Sequence, residues 1–351
     1  MLGIIENVTI ESLVATVSKD RVPVEERCKD IIKPKRMARV KAGTGIEKLS
    51  VVAPGITASD LCVASAERIF DEGLAKREDI GAVFFVTQKP DYPLPATSYS
   101  IQQRLNLGTD IMAFDVNCSC PGFVYGVYIA ASMQSNLQKK ILLCCGDVIT
   151  SEYIVNPRDT SGRPIMGDGG AAAIIGTTPE SLNKRIFYNF DSFGDRFFSL
   201  YEPRGGARER KKYDTNGELI VEPENYGIMD GMAITDFAMN EVPANISNLL
   251  KYANVDKDVL DIALVHQANG FVVGSLAEKL GLSSEVMPFK CAQIGNTDMA
   301  SIPVCMSELK KDGADYNDYG LALLSGFGAG LAVASMIMDL RDVKVLPTNE
   351  I

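Results

Sequence analysis

The chain has no tryptophan and a single histidine, His266, among 351 residues. Any step that needs an imidazole must therefore use His266, and a zinc site would have to be built almost wholly from cysteine. No apolar run approaches the ~20 residues of a membrane-spanning helix, so no membrane partner is expected. The start, MLGIIENVTIE, lacks the basic residues and long apolar segment of an export signal. Basic residues are in the minority, 35 Lys and Arg against 45 Asp and Glu, for a net charge of −10. That balance argues against nucleic acid as a partner. Eight cysteines without an export signal predict reduced thiols and a cytoplasmic location. Several lie in apolar runs such as ILLCCGDV and IPVCMSEL, where cysteine serves as a small hydrophobe.

What is present is alternation. Strand-like IGAVFFVT (80–87), helix-like TSYSIQQRLNLG (97–108), strand-like MAFDVN (112–117), helix-like PGFVYGVYIAASMQSNLQ (121–138) and strand-like KILLCCGDV (140–148) follow one another. IMGDGGAAAIIG (165–176) is a glycine turn running into an apolar strand. This is an α/β pattern. The order then recurs. DIALVHQANG (261–270) resembles DIGAVFFVTQ (79–88), and SLAEKLGL (275–282) stands where SIQQRLNLG stood. CAQIGNTDMASIPVCMSEL (291–309) matches AFDVNCSCPGFVYGVYIAA, and YGLALLSGFGAG (319–330) matches KKILLCCGDV. The unequal spacings point to an old duplication with drifted loops, divided near residue 180 into halves 1–180 and 181–351. Two stretches break the pattern. Residues 19–48 hold ten Lys or Arg against five Asp or Glu, and residues 201–226, with PRGGARERKK, read as an exposed loop.

Three residues stand out as chemistry. In NCSC, Cys118 and Cys120 could be a metal pair, a redox pair, packing, or a nucleophile and its neighbour. Zinc wants four ligands, and Cys144-Cys145 are adjacent within an apolar strand; redox pairs usually read C-x-x-C. As a nucleophile, Cys120 precedes Pro121 and a helix. There the dipole and unpaired N–H groups should lower its pKa. His266 ends a strand; it is either a core histidine or a site residue in a cleft where the strand ends of both halves converge. Asn296 is either a Gly-Asn turn or, by the duplication, the counterpart of Cys120. GFGAG (326–330) could cradle phosphate, supply an oxyanion hole, or form a tight turn.

The motifs DVNCSCPGF, MGDGGAAA, MDGMAITDFA (229–238), LVHQAN, IGNTDMASIP and GFGAG occur in one order from about residue 45 to the end. In this the chain resembles the ketoacyl-acyl-carrier-protein synthase III enzymes of the thiolase-like superfamily. The resemblance implies a five-layer αβαβα sandwich of two duplicated halves, a homodimer and a Cys-His-Asn triad of Cys120, His266 and Asn296. It implies an oxyanion hole at the backbone N–H groups of Cys120 and Gly330. The implied reaction is uptake of an acyl thioester on Cys120 and decarboxylative condensation with a malonyl group on acyl carrier protein. No metal or cofactor is implied beyond the acyl-coenzyme A or acyl-carrier substrates.

The same resemblance places Leu94, before Pro95, and Met166 in the acyl pocket. Relatives often carry Phe at both positions, so a chain longer than acetyl is expected here. Family positions that hold coenzyme A fall at Arg39 and Gly43, before Thr44-Gly45-Ile46; at Thr160, with Arg163 nearby; and at Phe271. The family's Trp is absent. The basic stretch Lys33, Lys35, Arg36, Arg39 and Lys41 would replace the missing carrier-binding charge, or is simply a solvated face. Other readings are acyl transfer to a non-malonyl acceptor, and a non-catalytic carrier-binding subunit. Hydroxymethylglutaryl synthases share the superfamily, but no Glu near these motifs matches their base.

Overall fold

The structure, a computed structural model, describes residues 1–134, 136–150, 159–203, 208, 215–216 and 227–351. Most of the 201–226 stretch lies outside the described residues. The first half contains β1 (Leu2–Glu6), β2 (Val8–Val17), β3 (Arg21–Pro23), α1 (Val24–Arg27), α2 (Pro34–Thr44), β4 (Lys48–Ser50), α3 (Ala58–Asp71), β5 (Ile80–Thr87), α4 (Thr97–Arg104), β6 (Met112–Asn117), α5 (Gly122–Gln134), β7 (Lys140–Asp147) and β8 (Gly169–Thr177). The second contains β9 (Arg185–Ser192), β10 (Leu200–Tyr201), β11 (Ile228–Met229), α6 (Gly231–Ala253), β12 (Ile262–Val265), α7 (Gly270–Leu280), α8 (Ser301–Lys311), β13 (Ala322–Gly328), β14 (Ala332–Met338), β15 (Lys344–Val345) and β16 (Asn349–Glu350).

Two sheets repeat one order. In the first, β2, β8, β7, β5 and β6 lie side by side; in the second, β9, β14, β13 and β12 do. The β5–β7 and β12–β13 pairs are parallel, and β7–β8 and β13–β14 are antiparallel, so the paired halves match in direction as well. The counterpart of β6 is missing. Sequence symmetry would make CAQIG a strand, but Gly295 takes a φ of 85° and its N–H turns back to Cys291 O at 2.8 Å. A Cβ at Gly295 would lie 2.9 Å from Ile165 O, so the segment crosses another loop here instead of joining the sheet. The chain ends are exchanged: β1 pairs with β9 in the second sheet, while β15 and β16 pair with β2 in the first.

Side-chain alternation builds the layers. Along β5, Val83 and Phe85 pack outward with Leu61, Cys62 and Ile69 of α3. Ala82, Phe84 and Val86 face inward, with Phe123 and Val127 of α5 and Val304 of α8. On the second sheet, Leu323 and Val333 pack outward against Leu249 of α6 and Leu276 of α7. The sequence of layers is thus helices, sheet, helices, sheet, helices, as expected for αβαβα. The middle helix α5 buries residues on most of its circumference, consistent with its apolar sequence GFVYGVYIAA. Outer helices begin with caps: the Thr57–Asp60 capping box on α3, Asp230 on α6 and Asn269 on α7. Cys144 and Cys145 face opposite sides of β7 and are both buried, which is the small-hydrophobe role. No helix of the described residues is long and apolar enough to cross a membrane.

Candidate active site

Cys120 lies in the turn that starts α5. Gly122 N–H donates to Ser119 O at 2.6 Å, and Tyr125 N–H to Pro121 O at 3.1 Å. The thiol is buried beneath the end of β13: a Cβ at Gly328 would sit 2.7 Å from Cys120 Sγ. His266 follows β12 and is held by its backbone N–H to Ser325 O at 2.8 Å and by an edge contact to Phe327, 5.4 Å between ring centres. Asn296 is clamped by the loop before β8. Its N–H donates to Ile165 O at 2.7 Å, and its carbonyl accepts from Gly167 N–H at 2.9 Å. Cys120 thus lies at a helix start, His266 after a strand and Asn296 in a loop.

The short segment 296–301 connects them. Asn296 Oδ1 accepts the Asp298 N–H at 2.9 Å, which orients the amide and leaves Nδ2 as its donor. Asp298 adopts a φ of 54°, a left-handed conformation that Asp tolerates better than most residues. Its carboxylate accepts from Ser119 Oγ at 2.9 Å, beside the nucleophile candidate. Ser301 Oγ lies 2.7 Å from His266 Nδ1 and accepts the Gln267 N–H at 3.3 Å. Assigning the Ser301 proton to Nδ1 makes Nδ1 an acceptor. The ring proton is then on Nε2, a donor. Asp298, Ser301, Ser119 and Gly328 were not singled out from sequence, although the first two stand in the quoted IGNTDMAS. The missed signal was the spacing, two and five residues after Asn296, at the entrance to α8.

Electrostatics depart from the sequence expectation for Cys120. Helix-dipole reasoning predicts a lowered thiol pKa; burial and the Asp298 carboxylate push it well above its ordinary value. Burial likewise lowers His266 to about 4, so its imidazole is neutral at pH 7. Asp298 and Asp147 are both raised, chiefly by burial. Cys118, two residues before Cys120, is pushed up to about 12 by burial and Asp298, and is no reactive thiolate. Cys118→Ala is expected to load acyl groups within about twofold of wild type by intact mass; a loss as complete as that of Cys120→Ala would refute this. Among the described residues, no group of three His, Cys, Asp or Glu is placed to hold a metal ion.

The other expected positions are dispersed around this centre. Met166 bridges to Asn296 in parallel register and is half-buried, so it borders the site. Leu94 is 85% exposed, away from any core cluster of its own chain. Gly330 is in the turn between β13 and β14, two residues past Gly328. Arg39 on α2 and Phe271 in the first turn of α7 are both exposed, on helices whose ends approach closely: a Cβ at Gly270 would be 3.0 Å from Thr44 O. Of the basic stretch, Lys33, Lys35, Arg36 and Arg39 are exposed, but Lys41 pairs with Glu25. Arg163, near the family's second arginine position, pairs with Asp30 at 3.0 Å. Lys41 is thus engaged within its own chain rather than contributing free carrier-binding charge.

Comparisons with known proteins identify the family. The model of 3-oxoacyl-(acyl-carrier-protein) synthase III matches residues 114–194, and its C-terminal counterpart matches residues 250–340. The chain is 30% identical to the beta-ketoacyl-(acyl-carrier-protein) synthase III of Lactobacillus helveticus, covering 84% of this chain and 88% of that one. It is 30% identical to that of Rhodopirellula baltica, covering 82% and 86%. A crystal structure of 3-oxoacyl-(acyl-carrier-protein) synthase from Burkholderia xenovorans superposes with a TM-score of 0.90 at 27% identity, over 100% of this chain and 99% of the other. With its thiolase-like fold, matches to both family models and 30% identity to a relative over 84% of this chain, the chain belongs to the 3-oxoacyl-(acyl-carrier-protein) synthase III family of condensing enzymes.

Proposed function

We propose that the protein is an acyltransferase that moves an acyl group from a thioester onto Cys120 and condenses it with malonyl-acyl-carrier protein. The observation that carries this reading is the 296–301 segment, whose hydrogen bonds reach the neighbours of Cys120 and also orient His266 and Asn296. In the first step Cys120 sulfur attacks the thioester carbonyl and the carrier thiol leaves. The tetrahedral oxyanion is assigned to the N–H groups of Cys120 and Gly330 by family resemblance. In the second, the malonyl thioester loses CO₂, and charge develops on its carbonyl oxygen. His266 Nε2 and Asn296 Nδ2 donate to that oxygen, each worth about 3 kcal/mol of barrier. The carbanion then attacks the acyl-cysteine, and the C–C bond forms as sulfur leaves. No metal or cofactor enters these steps.

Leu94 and Met166 are assigned to the acyl pocket, and Arg39 and Phe271 to the entrance. Exposed Lys33, Lys35, Arg36 and Arg39 suit an acidic carrier protein. A homodimer is supported by β6, which ends its sheet with one edge unpaired. Edge-to-edge pairing with a second copy would cover that liability and bring exposed Leu94 to the partner. A cytoplasmic location and an origin by duplication of residues 1–180 and 181–351 complete the proposal.

The test is intact-protein mass after incubation with a panel of acyl-coenzyme A and acyl-carrier thioesters, followed by malonyl-carrier. The expected result is a mass gain of one acyl group, discharged in the chase as a 3-ketoacyl product appears. A gain that malonyl-carrier cannot discharge would overturn condensation in favour of transfer to another acceptor. No gain from any donor would leave a carrier-binding subunit.

A further inference from the structure

The mechanism above leaves a carboxylate without a role directly beside the nucleophile. Asp298 is 2% exposed, and its oxygens are met by Ser119 Oγ at 2.9 Å and by Gln88 Nε2. A second carboxylate, Asp147, closes the same floor. Its Oδ1 accepts Thr87 Oγ and the N–H groups of Gln88 and Lys89, both at 3.2 Å, while its buried Oδ2 has no partner among the described residues. The charged and titratable groups facing Cys120 and Asp298 are Asp147, Cys118, Lys89 and His266. His266 is neutral above about pH 4, so no imidazolium stands by to hold a thiolate. As a fixed negative charge Asp298 would oppose ionisation of the thiol. As a proton acceptor it would drive it.

Cys120 and Asp298 also meet directly, side chain to side chain, and Ser119 links them a second way. The Ser119 oxygen is 3.5 Å from Cys120 Sγ and 2.9 Å from Asp298 Oδ1. A hydroxyl has one proton, and the carboxylate takes it, so the oxygen faces Cys120 as an acceptor. We propose that Asp298, acting through Ser119, receives the proton of Cys120 when the thiol attacks the acyl thioester. The Sγ–H proton passes to Ser119 Oγ as the Ser119 proton passes to Asp298 Oδ1, leaving a thiolate and a neutral carboxylic acid. The thiolate bonds to the acyl carbon, the carrier sulfur leaves with the bonding pair, and the proton returns along the same path to make the carrier thiol. This rests on the reading of Cys120 as the acyl-accepting nucleophile.

The experiment is the rate of Cys120 alkylation by iodoacetamide from pH 5 to 10, read by peptide mass in a Cys118→Ala background, for the parent, Asp298→Asn and Ser119→Ala. The relay predicts at least a tenfold slower reaction at pH 7 in both variants, recovering at high pH, with the midpoint of the profile moved up. A spectator carboxylate predicts the opposite sign for Asp298→Asn, a faster reaction with the midpoint moved down, and little change in Ser119→Ala; that result, or equal rates, overturns the proposal. Should Asp298→Asn fail to fold, as judged by its melting curve, Ser119→Ala still decides: it removes the relay while keeping the charge and the direct Cys120–Asp298 contact, so an unchanged rate overturns the relay. Acyl uptake by the wild type is measured alongside. No uptake from any donor refutes the nucleophile, whereas uptake together with a faster Asp298→Asn refutes the relay alone.

Discussion

Cys120→Ala is expected to take up no acyl group from any thioester, whereas His266→Ala and Asn296→Ala are expected to load normally and then stall. The split follows from where charge develops. Loading needs a sulfur nucleophile, and the other seven cysteines do not replace it: six are buried within the core layers, and Cys118 is held protonated. Decarboxylation needs donors aimed at the malonyl thioester oxygen, and each lost donor costs about 10²–10³ in rate. Asn296→Asp should be as damaging as Asn296→Ala, because a carboxylate offers no donor and places a negative charge where an enolate must form. Trapped acyl-enzyme, counted by intact mass after a malonyl-carrier chase, measures the split directly. Equal loss of loading in all three variants would mean that the three residues do not divide the work in this way.

Gly328→Ala is expected to reduce loading by about 10² or more while the protein remains folded. An added Cβ would lie 2.7 Å from both Cβ and Sγ of Cys120. The obstructing atoms belong to a short side chain at a helix start, pinned by Gly122 N–H to Ser119 O, so the sulfur itself must be displaced. A displacement of about 1 Å at a reacting atom can cost 10²-fold. Stability should fall less, because the clash involves one side chain at the end of β13 rather than the sheet. The measurement pairs the loading rate with a melting curve. A variant that unfolds at the wild-type temperature and loads at the wild-type rate would show that Gly328 does not set the position of the thiol.

Much of the fold was legible because period and punctuation agreed. Ile80–Thr87 and Met112–Asn117 are strands with the boundaries read from IGAVFFVT and MAFDVN. The repeated order of motifs emerged as a repeated order of strands. Helix ends were harder: the pattern from Pro121 suggested a helix to residue 138, but the described helix covers Gly122–Gln134, and Asn136 and Leu137 turn back with N–H groups on Met133 O and Gln134 O. That CAQIG forms no strand to match MAFDVN has a non-local reason, the crossing of Gly295 with Ile165 O. At the site, Cys120, His266 and Asn296 could be found from residue type and position. The carboxylate beside the thiol could not. Burial makes Asp298 consequential, and an acidic residue in a polar loop reads on sequence as solvated. The same gap explains the misjudged thiol: a helix start is visible in CPGF, but the Asp298 contact is formed across 178 residues of chain, counted from Cys120 to Asp298.

The exchanged ends of the chain bear on how the protein folds. The first sheet needs β15 and β16, whose backbone continues to Ile351, with its N–H on Val17 O at 3.2 Å and its carbonyl receiving Lys19 N–H at 2.8 Å. The second sheet needs β1, which pairs with β9. Each sheet thus draws strands from both halves of the sequence, and β1 pairs with a strand far along it, from Leu2 with Asn189 to Glu6 with Arg185. Long-range pairing of this kind is slow to nucleate and leaves apolar edges open in the meantime. Each half therefore completes its sheet only with strands of the other, which ties the two together.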